Sequence, residues 1–193
     1  MTTELDPTTF DVEAWLVDAH LPEESADVYK GGHIVAELSA LKRRIENEEA
    51  VEDVERTAGD KAKLGKLERE YERLLKAFAN SMLTVYVRAL TGEEIRDMRT
   101  KHEERAQGMT PVEANTEFGY DLLAAAIIGV KPAGGKRARV DFTPDDVRKL
   151  EHSIGEPQLQ LIMVARQRAQ NSVPVVDADF LLRRSGTSEG SPE

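Results

Sequence analysis

Five apolar residues, Leu64, Leu67, Tyr71, Leu74 and Phe78, recur at intervals of three and four along a stretch that is otherwise charged. That spacing puts them on one stripe of a helix, and a stripe of this kind is the seam of a coiled coil, which a second helix has to cover. Upstream, Ile34, Leu38, Leu41 and Ile45 follow the same rule before Glu48 and Glu52 take the next seam positions. Between the runs lies Thr57-Ala58-Gly59-Asp60, a break that suits two helices folding back near Gly59. Charge agrees: residues 46 to 55 hold six acids and no base, whereas 61 to 66 hold three lysines and no acid. Exposed pairs of this sort contribute only about 0.5 kcal/mol each, so they fix register more than stability. The expectation is an antiparallel coiled-coil-like hairpin over 34–80, with one long helix as the competing arrangement.

The flanking segments read as a mainly α protein. Residues 1–33 hold a short amphipathic helix with Val12, Trp15, Leu16 and Ala19 on one side, stopped by Pro22 and followed by a connector. Trp15 is expected to anchor that helix on the core. Residues 81–171 form the core domain. Leu83, Val85 and Val87 alternate with Thr84, Tyr86 and Arg88, the period of a half-buried strand. Thr91 and Glu94 then have the spacing of a capping box, starting a helix that runs from about 92 to 107 and ends at Gly108.

Residues 111 to 130, ending in the apolar run LLAAAIIGV, read as a central core helix. Its alanines and glycines also suit a subunit contact, so core helix and homo-oligomer interface both stand as readings. A second strand is expected at 136–142 after the turn KPAGG, giving at most a two-stranded β element. Two helices close the domain. One is capped by Thr143 with Pro144 at its first position and ends at Gly155, and the other carries Leu159, Ile162, Met163 and Arg166 along one side. Residues 172–193, rich in Gly, Ser, Pro and Glu after Phe180, Leu181 and Leu182, read as a flexible tail.

Several chemistries find no support. The chain has no cysteine, which removes disulfides, thiolate metal sites and cysteine nucleophiles together. The formal charge of -10 disfavours nucleic acid, and aromatic residues, at 5%, are too few for stacking platforms. No signal peptide or run of about 18 apolar residues appears, so a soluble intracellular protein is expected, with no membrane partner. AGGKR at 133–137 lacks the spacing of a phosphate loop, and His20, His33, His102 and His152 stand singly without metal-ligand spacing. No G-x-S-x-G elbow is present. Neither an enzyme nor a cofactor or metal site is expected.

Five phrases together, FDVEAWLVDAHLPEESADVYK, LTVYVRALTGEEI, NTEFGYDLLAAAI, FTPDDVRKLEHSIGEPQLQLI and VDADFLLRRSG, resemble the tail assembly chaperones of long-tailed, non-contractile bacteriophages that infect actinobacteria. The likeness spans nearly the whole chain and rests on no short motif. It implies a helical protein of the host cytoplasm, absent from the mature virion, that binds the tape measure protein, keeps it soluble and helps recruit tail tube subunits. In this family a ribosomal frameshift near the end of the reading frame often makes a longer product that contacts the tube protein.

The residues expected to touch a partner are Leu64, Leu67 and Tyr71 of the hairpin and Phe180, Leu181 and Leu182 of the tail. The first three serve equally as hairpin core. The competing reading is a structural virion component, a tail or connector subunit. A nucleic-acid-binding regulator has only Arg183, Arg184 and the basic residues of 136–139 behind it.

Overall fold

The computed structural model describes residues 11–17, 19–50 and 58–172. Strand β2 (Met82–Arg88) has the alternation expected of it, with Val85 and Val87 fully buried on one face. Burying each of these valines contributes about 2 kcal/mol. The strand lies inside a four-stranded antiparallel sheet, between β1 (Glu23–Tyr29) and β3 (Ile127–Pro132), with the short β4 (Ala138–Arg139) beyond β3.

The two-stranded expectation is therefore corrected in three places. Residues 23–29, read as part of a connector, form an edge strand that pairs with β2 from Glu23 opposite Arg88 to Tyr29 opposite Met82. Its buried side is short, Val28 with Ala26 half-covered, and acids on an edge strand hide the alternation. Second, the apolar run after Leu122 does not stay helical. Helix α5 (Pro111–Ala126) stops at Ala126 and the chain turns directly into β3. A short run apolar on all sides has no usable period, and the change from alanines to Ile127, Ile128 and Val130 marks the switch. Third, β2 and the 136–142 region do not pair, because β3 lies between them and β4 keeps only two residues.

Helices occupy the inner face of the sheet. Helix α7 (Glu156–Asn171) lies along β1 and β2, α6 (Pro144–Ile154) packs between α5 and α7, and α4 (Gly92–Arg105) rests on α5. Leu159, Ile162 and Ala165 of α7 meet Val28, Val85, Val87, Ile127 and Leu123 in one core. Two glutamines fix α7 lengthwise. The Gln158 side chain accepts from Tyr29 N at 2.6 Å and donates to Tyr29 O at 2.8 Å, and Gln170 does the same to Leu90 at 2.9 and 3.0 Å.

The hairpin forms between β1 and β2 in the chain. Helix α2 (Gly32–Glu49) and α3 (Ala58–Asn80) run antiparallel, since Gly31 N donates to Ser81 Oγ at one end and Lys63 pairs with Glu48 at the other. Leu41, Leu67 and Leu74 are buried in a core of their own, with Ile34, Leu38, Ile45 and Tyr71 packed against it. Seven of the nine seam residues expected from the spacing are in it; Leu64 is not part of this core, and Phe78 stacks on Tyr29 instead. Gly59, the expected turning point, is already in the first turn of α3, and residues 51–57 are outside the described set. A Cβ at Gly31 would lie 2.9 Å from Ser81 Oγ, so a larger residue at the joint would displace the hydroxyl that accepts from Gly31 N.

Three helices begin with reciprocal capping, Thr91 with Glu94, Thr110 with Glu113 and Thr143 with Asp146. The first also holds the sheet, because Arg88 grips Glu94 with two nitrogens, at 2.6 and 3.1 Å. The Arg88 hydrogen bond, opposed by partial burial and helped by the bonds from Thr91, holds the Glu94 carboxyl at about 2, below its ordinary 4.5. A carboxyl depressed in the folded state stabilises above its unfolded pKa and loses that contribution as pH falls towards 2. Thermal melts between pH 5 and pH 2 should therefore show a shallower acid decline in Glu94→Gln than in the parent chain. Thr91→Ala should cost about 1 kcal/mol at neutral pH by urea unfolding.

Candidate functional site

Helices α2 and α3 pack on each other and reach the sheet through a narrow joint. Beyond the Gly31 to Ser81 bond, the Tyr29 ring stacks on Phe78 with centroids 4.5 Å apart and planes within 6°. A body of two helices cannot cover its own outer surface, and along one side of this hairpin runs an open groove of about 570 Å³. Ile45 and Tyr71, both half-buried, supply its apolar surface. Four glutamates, Glu46, Glu49, Glu68 and Glu72, line it against one cation, Lys42. Lys42 stands 3.7 Å from Glu46 with both side chains largely exposed, so that pair holds little.

The expected contact residues are placed as follows. Leu67 is 5% exposed and belongs to the hairpin core, Leu64 is half-buried, and Tyr71 lines the groove while also packing on that core. Phe180, Leu181 and Leu182 lie outside the described residues, as do the rest of 173–193, and Trp15's side chain is not described. The acids of the groove are not among the sequence candidates. The signal for them was available in part: Glu68 directly follows Leu67, and Glu49 directly follows the seam position held by Glu48, which makes both e positions that set partner choice in coiled coils, whereas Glu46 and Glu72 stand at b.

Elsewhere the polar clusters hold the fold together. On the outer face of the sheet Arg137 lies over the Tyr86 ring at 4.2 Å and pairs with Glu23 at 2.9 Å. Gly129 makes room for it, since a Cβ there would be 3.0 Å from both Arg137 Nε and Ala138 O. In the cleft between α5 and α7, Tyr120 donates to Glu151, and that bond with partial burial pushes the phenol up to about 12. A phenol moved that way is further from neutral-pH proton transfer than an ordinary one.

Asp121 is buried where α4 meets α5, held by Arg105, with His102 Nδ1 at 3.4 Å and the His102 ring against Phe118. Among the described residues no hydrogen bond reaches His102 Nδ1, which is buried. Among the described residues no three His, Asp or Glu side chains cluster to hold a metal ion, and no helix is long and apolar enough to cross a membrane.

In comparisons with known proteins, no family model, no curated protein sequence and no solved structure matches the chain.

The two ends of the Asp121 pair are unequal, and that asymmetry is measurable. Removing Arg105, which is 54% exposed, strands a carboxylate that is 8% exposed, whereas neutralising Asp121 leaves the guanidinium in water. Arg105→Ala should cost about 2 kcal/mol in urea unfolding and Asp121→Asn distinctly less.

Proposed function

We propose that the chain is a bacteriophage tail assembly chaperone, which binds the tape measure protein, keeps that long helical chain soluble and helps bring tail tube subunits to it in the host cytoplasm. The observation that carries the reading is the groove of the hairpin. An apolar surface of Ile45 and Tyr71, edged by Glu46, Glu49, Glu68 and Glu72, suits a helix whose apolar stripe is flanked by lysine or arginine. The exposed Val35 and Leu75, each 47% exposed, extend the apolar surface of the hairpin towards the sheet. Weak, replaceable contacts of this kind suit a protein that has to hand its client on, since affinity among related complexes is set chiefly by dissociation. The sequence resemblance supports the same reading. In this reading Phe180, Leu181 and Leu182 add a second contact, and a frameshifted longer product reaches the tube protein.

The test is co-expression with the tape measure protein, followed by affinity capture and a solubility assay. The parent chain should co-purify with the partner and keep it in the supernatant. Glu68→Lys with Glu72→Lys should weaken capture at least about tenfold at low salt while leaving the helical signal unchanged. A chain ending at Ser172 should fold normally and hold the partner less well. No co-purification, with the protein present in many copies in purified particles, would assign it instead to the structural components of the tail.

A further inference from the structure

Two arginines at the far edge of the sheet are brought onto its outer face. Arg139 stands opposite Gly129 in the ladder and Gly129 opposite Tyr86, so Tyr86, Gly129 and Arg139 form one row across that face. Val85 and Val87, on either side of Tyr86, point the other way into the core. Gly129 leaves the middle of the row without a side chain, and Arg137 crosses there to lie over the Tyr86 ring. Arg137 and Arg139 therefore face the same way, about 7 Å apart along the chain.

Together with His20, Glu23, Arg88 and Ile128 they line an open cavity of about 620 Å³. Its three arginines are in different states. Arg88 is spent, with both terminal nitrogens on Glu94 and one of them also on Ala89 O. Arg137 is fixed by the ring beneath it and makes one hydrogen bond, from Nη2 to the Glu23 carboxylate at 2.9 Å. Arg139 is exposed and has no ion-pair partner among the described residues. A guanidinium carries several N–H donors in a flat fork, so most of what Arg137 and Arg139 can offer is unspent among the described residues.

Glu23 shows which chemistry fits the site. Its carboxylate engages Arg137 through a single hydrogen bond while the side chain stays 46% exposed, so another carboxylate can take its place at little cost. We propose that this cavity docks an acidic segment of a partner protein, an extended stretch with carboxylates at alternate positions, one on Arg137 in place of Glu23 and the next on Arg139. Alternate residues of an extended chain stand about 7 Å apart on one side, the interval between the two arginines. His20 adds a polar group at the cavity wall, and half-buried Ile128 an apolar one for the residue between the acids. Nucleic acid fits less well. Tyr86 is the ring on which a base would stack, and Arg137 already covers it. The net charge of -10 also repels a long polyanion, whereas a short segment meets the arginines within a Debye length of about 8 Å.

The cavity is separate from the hairpin groove, so failure here leaves the chaperone reading untouched. Fluorescence anisotropy on the full chain tests the site with a labelled peptide in which glutamate alternates with serine, beside the same peptide carrying glutamine and a labelled RNA oligonucleotide of equal charge. The glutamate peptide should bind the parent chain. Arg139→Glu should weaken that binding at least about tenfold, and Glu23→Gln should strengthen it about threefold by freeing Arg137. Both positions are exposed, so both variants should keep the helical signal of the parent. No binding of the glutamate peptide, equal binding of the glutamine peptide, no gain from Glu23→Gln, or tighter binding of the RNA overturns the proposal. So does self-association of the parent chain in sedimentation that Arg139→Glu abolishes, which would assign the face to a second copy.

Discussion

The fold depends on how α7 is attached to the sheet. A glutamine amide carries an acceptor oxygen beside an NH2 group at the spacing of a peptide group, and Gln158 and Gln170 use these to pair with Tyr29 and Leu90 as a neighbouring strand would, with the second Gln158 hydrogen going to Ile154 O. The two residues are twelve positions apart, so both ends of the helix are fixed against backbone far away in the chain. With its ends placed, α7 lays Leu159, Ile162, Ala165 and Ala169 on the sheet, and the two alanines let helix and strands approach closely. The positions of α5 and α6 follow, because both pack against a helix that cannot slide.

The hairpin answers to a different physics. Its core of Leu41, Leu67 and Leu74 is separate from the sheet's core, so its stability comes from a seam between two helices. Nothing in that seam requires four glutamates around one groove, and like charges gathered there disfavour the free state slightly. A partner bearing the opposite charge offsets that. The acids therefore belong to recognition in the proposed function, while the leucines beneath them belong to folding.

What could be read from the sequence follows the same division. Leu64 to Phe78 repeat over four turns of helix, long enough for the period to be unmistakable, and Leu67, Tyr71 and Leu74 pack in the hairpin core, while Leu64 lies outside it and Phe78 stacks on Tyr29. Thr91 with Glu94 and Thr143 with Pro144 are local signals whose chemistry is complete within a few residues, and both helix starts appeared where expected. The strands beside β2 were harder. Glu23–Tyr29 buries little, and its partner lies more than fifty residues away, so only the tertiary structure makes it a strand. Ile127–Pro132 follows a helix without a break, and an apolar run with no polar face has no direction to read. Of the acids lining the groove, Glu49 and Glu68 could be read as flanking positions, but their gathering with Glu46 and Glu72 comes only from α2 and α3 lying side by side.

The place of the hairpin within the chain has one more consequence. Tyr29 and Met82 face each other as the last ladder pair of β1 and β2, and everything from Lys30 to Ser81 leaves and returns at that point. Topologically, the two helices are an overgrown loop joining adjacent antiparallel strands. Among the described residues the sheet meets them at their feet, through Gly31, Phe78 and Ser81. Whole heptads can then be gained or lost at the far tip without shifting a single strand, which makes hairpin reach a quantity that evolution can adjust independently of the body that carries it.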